Sequence, residues 1–155
     1  MVSIPELEKF LYSYKYYARE ILIAKEKIEQ NREMIGMPIS GVTYDGMPKG
    51  SGVGDRVANL AIKFIDNERD LEQRCKKAQA RMEDIMEVIR LLPEKDDQQI
   101  FELRYTLSAT WEDIGKRFHL SESSVRRRCA AGLKQLSRDK RASKIIDTKE
   151  KPQDK

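Results

Sequence analysis

Residues 104–136 read RYTLSATWEDIGKRFHLSESSVRRRCAAGLKQL. Two short helices and a tight turn are legible in this stretch. Thr110 is a helix-capping residue, and Asp113 three positions on makes a capping-box-like start for a helix over residues 111–118. His119-Leu120-Ser121 forms the turn, and Ser121 caps a further helix that is expected to run to about Ser137. Ile114 and Phe118 on the first helix would meet Val125 on the second, with Leu120 plugging the turn and Gly115 small where the two helices cross. Val125, Cys129, Gly132, Leu133 and Leu136 follow one another at helical spacing and face inward. This is the layout of a helix-turn-helix. Upstream, Asp96 or Asp97 starts a short helix carrying Ile100, Phe101, Leu103 and Tyr105, which Thr106-Leu107-Ser108-Ala109 ends.

The inward face leaves Glu122, Ser123, Ser124, Arg126, Arg127 and Lys134 outside. Any amphipathic helix has a charged outer face, so this alone carries little. The charge distribution adds a second signal. The chain has 30 Lys and Arg against 26 Asp and Glu, a net charge of +4. Residues 116–144 hold ten of the basic side chains and two acids, Glu122 and Asp139, for a local charge of +8; the residues before Lys116 sum to −4. A basic C-terminal third on an acidic body suits a protein that presents one end to nucleic acid. Short polar residues at a helix start, with arginines one turn on, suit insertion into a major groove, where arginine bonds guanine in a bidentate way.

The quoted stretch resembles region 4 of bacterial sigma-70 factors, which reads an upstream promoter element. The whole arrangement, with an N-terminal helix, the GMPKGSGVGD loop and a second long helix before the module, is similar to phage late-gene transcriptional regulators of the RinA and ArpU type. Carried over position by position, the resemblance implies base-edge contacts from Glu122, Ser123, Ser124, Arg126 and Arg127, and phosphate contacts from the Thr110-Trp111 helix start and from Lys116 or Arg117. Three positions depart from the pattern. His119 stands at a turn position usually held by glycine, in a left-handed conformation that histidine tolerates better than most residues. Arg128 replaces a frequently apolar residue and is expected to reach a phosphate. Gly132 inside the recognition helix costs ~1 kcal/mol relative to alanine.

Before the module lie two long helical patterns. In residues 4–35, Leu7, Tyr14, Ile21, Ile28 and Ile35 alternate with Phe10, Tyr17, Ala24 and Asn31 in a sustained heptad stripe. Its tyrosines could be a base-stacking surface, but an Ile/Leu seam around them reads as core. Residues 36–54 hold most of the chain's eight glycines with Pro38 and Pro48, and form a loop. The loop's Gly-Ser-Gly does not match a phosphate cradle, because the P-loop order between a strand and a helix is missing. Asp55 can cap the second helix, whose face carries Val57, Leu60, Phe64, Leu71, Cys75, Ala78, Met82, Ile85, Ile89 and Leu92 before Pro93 ends it. These helices can fold back as an antiparallel hairpin within one chain, pair between chains, or do both in a dimer.

Chemistry is sparse. A single histidine rules out a multi-histidine metal cluster, His119 in the turn reads as structural rather than catalytic, and the acid pairs Asp96-Asp97 and Glu112-Asp113 sit where helix dipoles favour them. Cys75 and Cys129 lie on apolar helix positions and read as core cysteines, outside any zinc or disulfide framework. The expected protein is all-α, with a helical hairpin and oligomerisation region over 1–92, a helix-turn-helix domain over 93–137 and a basic flexible tail over 138–155. No catalytic residue, metal or cofactor is expected, nor a small-molecule substrate, a membrane span or a secretory signal. The partners implied are double-stranded DNA, a host RNA polymerase and a second copy of the chain, a dimer being favoured, in a bacterial cytoplasm. Two other readings remain open: a small terminase subunit that recognises packaging DNA, and a sigma-like protein or anti-activator that grips polymerase.

Overall fold

The computed structural model describes residues 1–36 and 52–148, with side chains described for 1–34 and 56–148. Among the described residues the fold is all-helical and has no strand. The elements are α1 (Ile4–Gly36), α2 (Gly52–Arg90), α3 (Lys95–Phe101), a π-helical stretch (Glu102–Thr106), α4 (Trp111–Phe118), α5 (Glu122–Arg138) and α6 (Lys140–Asp147). The glycine-rich loop expected over 36–54, the Ile35 and Asp55 side chains and the last residues of the basic tail lie outside the described residues, except that α2 already begins at Gly52. No helix among the described residues is long and apolar enough to cross a membrane.

The chain divides into two compact units, one of Met1–Ala18 with Gln79–Lys155 and one of Arg19–Ala78. In the first, α1 starts with a reciprocal cap: the Ser3 amide donates to Glu6 Oε2 at 3.2 Å and the Glu6 amide to Ser3 Oγ at 3.4 Å. Pro5 stands in the first turn, where its missing N–H costs nothing. Leu7, Phe10 and Leu11 of this helix are buried with Ile85, Val88, Ile89 and Leu92, and with Ile100, Phe101, Tyr105, Ile114, Val125, Cys129, Leu133 and Leu136 of the module. The helix end expected at Leu92-Pro93 is present, since α2 stops at Arg90, but it does not bound the unit. Burying Val88 beside Ile85 and Ile89 ties the last turns of α2 into the module's core.

The basic tail also departs from expectation. Residues 140–147 form α6, capped by Asp139, whose carboxylate accepts from the Arg141 amide at 2.8 Å. Ala142 and Ile146 are buried, and the Ile146 carbonyl accepts from Arg81 Nη2 at 3.4 Å. Two apolar residues four apart and one good cap suffice to dock a short helix once a core is there to receive it.

In the second unit the two long helices of one chain pair with each other. Ala24, Leu71 and Cys75 are buried, with Ile21 and Ile28 packed against them. Arg32 Nε donates to Glu68 at 2.8 Å. Going back along α1 from Arg32 to Ile21, the partners advance along α2 from Glu68 to Cys75, so the pairing is antiparallel. Val57 and Leu60, which the sequence places on the same face as Leu71 and Cys75, are exposed.

Candidate nucleic-acid interface

The helix-turn-helix is built from local signals. The Asp113 amide donates to Thr110 Oγ1 at 3.1 Å, which caps α4, and the Ser124 amide donates to Ser121 Oγ at 3.2 Å, which caps α5. Between them His119 adopts φ 54° and ψ 42°, the left-handed conformation expected for it, and its neighbour's Leu120 amide donates to the Gly115 carbonyl at 2.9 Å. A Cβ at Gly115 would lie 2.6 Å from the Leu120 carbonyl oxygen, so the close approach that needs glycine is made by the turn's backbone. Gly132 has an equally direct reason: a Cβ there would meet the Phe101 ring at 2.7 Å. The loss of helix propensity in α5 accompanies close packing on α3.

With Val125, Cys129, Leu133 and Leu136 turned inward, α5 exposes Glu122, Ser123, Arg126, Arg127 and Lys134. Ser124 is half-buried and its hydroxyl lies 2.9 Å from that of Ser121, so part of its hydrogen-bonding capacity serves the cap. At the start of α4, Thr110 is exposed, Trp111 half-buried, and Lys116 and Arg117 exposed, with Lys116 Nζ 3.3 Å from Glu112 one turn back. These residues share one module.

Arg128 does not join them. Its Nε donates to Asp97 at 2.8 Å and its Nη2 to Glu94 at 2.9 Å, and its side chain is only 30% exposed. The side chain expected to reach a phosphate forms an ion pair between α5 and the start of α3. The carboxylates that hold Arg128 lie some 30 residues upstream, and no local pattern announces them. Arg104 was also illegible as part of this region. The π-helical stretch carries it, its Nη1 donates to the Ala109 carbonyl at 3.1 Å, and its guanidinium carbon stands 4.0 Å from the Trp111 ring centroid. Arg126 approaches the same ring at 5.8 Å.

Burial governs the titratable groups beneath. Desolvation pushes the Cys129 thiol up to about 12, and the Tyr105 hydroxyl is raised by the same cause. On the surface, the hydrogen bond from Arg141 holds the Asp139 carboxyl below its ordinary value. Both cysteines are buried and free. Among the described residues no group of three or more His, Cys, Asp or Glu could hold a metal ion.

Comparison with known families matches residues 82–136 to Sigma-70, region 4. The match begins inside α2, close to where the first compact unit resumes at Gln79. No curated protein and no solved structure matches the chain significantly. The module is thus a DNA-binding helix-turn-helix of the sigma-70 region 4 kind, with a role connected to transcription.

Proposed function

We propose that this protein is a sequence-specific transcriptional activator of the phage late-gene type, which binds its DNA site as a multimer and acts with a host RNA polymerase. The observation that carries the reading is the outer face of α5 in a sigma-70 region 4-like module: Glu122, Ser123, Arg126 and Arg127 stand exposed in the first two turns after a capped start. Helices of this kind contact base edges with their N-terminal residues. The backbone amides of the Thr110-Trp111 helix start, with Lys116 and Arg117, would position the module on the DNA backbone, and Lys134 would add a phosphate contact. No catalytic step is required of any of them.

Pairing between copies is supported by the thin core of the second unit. Its two helices bury little, while Leu22 and Ile23 on α1 and Ile62 and Ile65 on α2 remain exposed. Two modules on one DNA molecule convert the second contact into an intramolecular one and raise avidity without new contacts.

The test is to mix the protein with sheared DNA from its native genome at physiological salt and sequence what it retains. One intergenic fragment upstream of a promoter is the expected result. Arg126→Ala and Arg127→Ala should each weaken binding to that fragment by ~1–3 kcal/mol. Recovery of nothing above background, with tight binding to polymerase instead, would overturn the reading. Light scattering on the same sample separates a dimer from the closed ring of many subunits that a packaging protein would form.

A further inference from the structure

Trp111 is the only tryptophan in the chain. It sits at the first residue of α4, half-buried, where an indole is an unusual choice if a phosphate donor is all that is needed. Its ring is occupied. The Arg104 guanidinium carbon lies 4.0 Å from the ring centroid and that of Arg126 lies 5.8 Å from it, both over the ring. Arg104 is itself anchored, through Nη1, to the Ala109 carbonyl at 3.1 Å. Arg126, by contrast, is an exposed side chain on the outer face of α5.

A long arginine in solvent samples many rotamers and loses that freedom when it binds. A tryptophan face attracts a guanidinium more strongly than other rings do and leaves its N–H edge available. We infer that Trp111 is a positioning residue: its indole face holds the Arg126 guanidinium in place for base readout, with Arg104 bracing the indole. The inference rests on the proposed entry of α5 into a DNA groove and names the side chain that sets specificity there. The base is one that presents two acceptors to a guanidinium fork, as guanine does. Among the described residues Arg127 has no such ring partner, so Arg126 is the preorganised member of the pair.

The experiment compares the ratio of target-fragment to unrelated-DNA affinity, at matched salt, for wild type, Trp111→Leu, Trp111→Phe, Arg126→Ala and the double variant Trp111→Leu/Arg126→Ala. Trp111→Leu is expected to lower the ratio by about 2- to 5-fold, the range for an exposed cation–π contact, and Trp111→Phe to restore most of it. The double variant should be no worse than Arg126→Ala, since Trp111 acts through Arg126. A phosphate donor or a purely structural indole would behave differently. Trp111→Leu would then weaken both DNAs equally, its cost would add to that of Arg126→Ala, and Trp111→Phe, which lacks the N–H, would not rescue; any of these overturns the inference. A readout without DNA stands beside it. Acrylamide quenching of the lone tryptophan should rise in Arg126→Ala, and identical quenching in the two proteins overturns the contact even if Trp111→Leu fails to fold. If wild type selects no DNA, the proposed function falls and the readout role with it; if wild type selects its site but Trp111→Leu keeps the full ratio, the positioning role alone falls.

Discussion

A methyl group added at Gly115 would sit 2.6 Å from the Leu120 carbonyl oxygen, a backbone atom fixed by its own turn, whereas at Gly132 it would meet the edge of the Phe101 ring at 2.7 Å. Backbone yields less readily than a ring. Gly115→Ala is therefore expected to cost about 1–3 kcal/mol in urea unfolding, while at Gly132 the ~1 kcal/mol gained in helix propensity offsets part of the overpacking. A Gly115→Ala protein as stable as wild type would contradict this account of the turn. Arg128 gives a second contrast, because it spends its guanidinium on Asp97 and Glu94. These groups are partly exposed, so Arg128→Ala should lower stability by only ~0.5–1 kcal/mol. It should leave DNA affinity within about 2-fold at matched salt, whereas Arg127→Ala should weaken specific binding and leave stability unchanged. The need for a small residue at Gly115 was legible in the sequence; the inward turn of Arg128 was not, since its partners come from another helix.

Capping explains how elements as short as α4 and α6 hold their ends. Thr110 and Ser121 accept from the amides of Asp113 and Ser124, and Asp139 accepts from the amide of Arg141. All three starts have a capping side chain, yet from the sequence α6 belongs to an expected flexible tail. Its eight residues carry Ala142, Ile145 and Ile146 among charges, too little apolar surface to declare a helix without a core beneath. Asp139→Ala should cost about 1 kcal/mol of α6 stability, visible as faster amide exchange over residues 140–147 with α5 unaffected. The Asp139 carboxyl is held below its ordinary value by Arg141. The cap is accordingly intact above the ordinary aspartate range, near ~3.9, and is lost as pH falls through the lower folded-state value. Exchange over α6 that is unchanged in the variant would sink the assignment.

Across the molecule the two units differ in how much they bury. The unit built from Met1–Ala18 and Gln79–Lys155 encloses an aromatic and aliphatic core with Tyr105 and Cys129 inside, while Arg19–Ala78 has a seam of Ala24, Leu71 and Cys75. Burial holds the Cys129 thiol protonated up to about 12 and raises the Tyr105 hydroxyl. In the unfolded chain a thiol ionises near ~8.5, so above that pH the unfolded state binds fewer protons than the folded one and stability falls as pH rises. For one group the slope reaches about 1.4 kcal/mol per pH unit. Urea midpoints measured from pH 8 to 10 should decline more steeply in wild type than in Cys129→Ala, and parallel curves would refute the buried thiol's part in it.

The helix-turn-helix could be read from residues 104–136 alone because each of its parts is local: a cap, a left-handed turn residue, a glycine at a close approach and an inward stripe lie within one or two turns of each other. The same holds for the all-helical class, which follows from long stripes at helical spacing. Other features needed chain folded back on chain. The pairing of α1 with α2 inside one molecule, the recruitment of Leu11 and Val88 to the module's core and the docking of α6 join residues distant in sequence, and the Arg104, Trp111 and Arg126 cluster joins side chains from three elements of the module. A hydrophobic stripe states that a face must be covered, but not by what, and a charged side chain states that it wants a partner, but not which. Those choices are settled by which surfaces and charges the folded chain brings within contact distance.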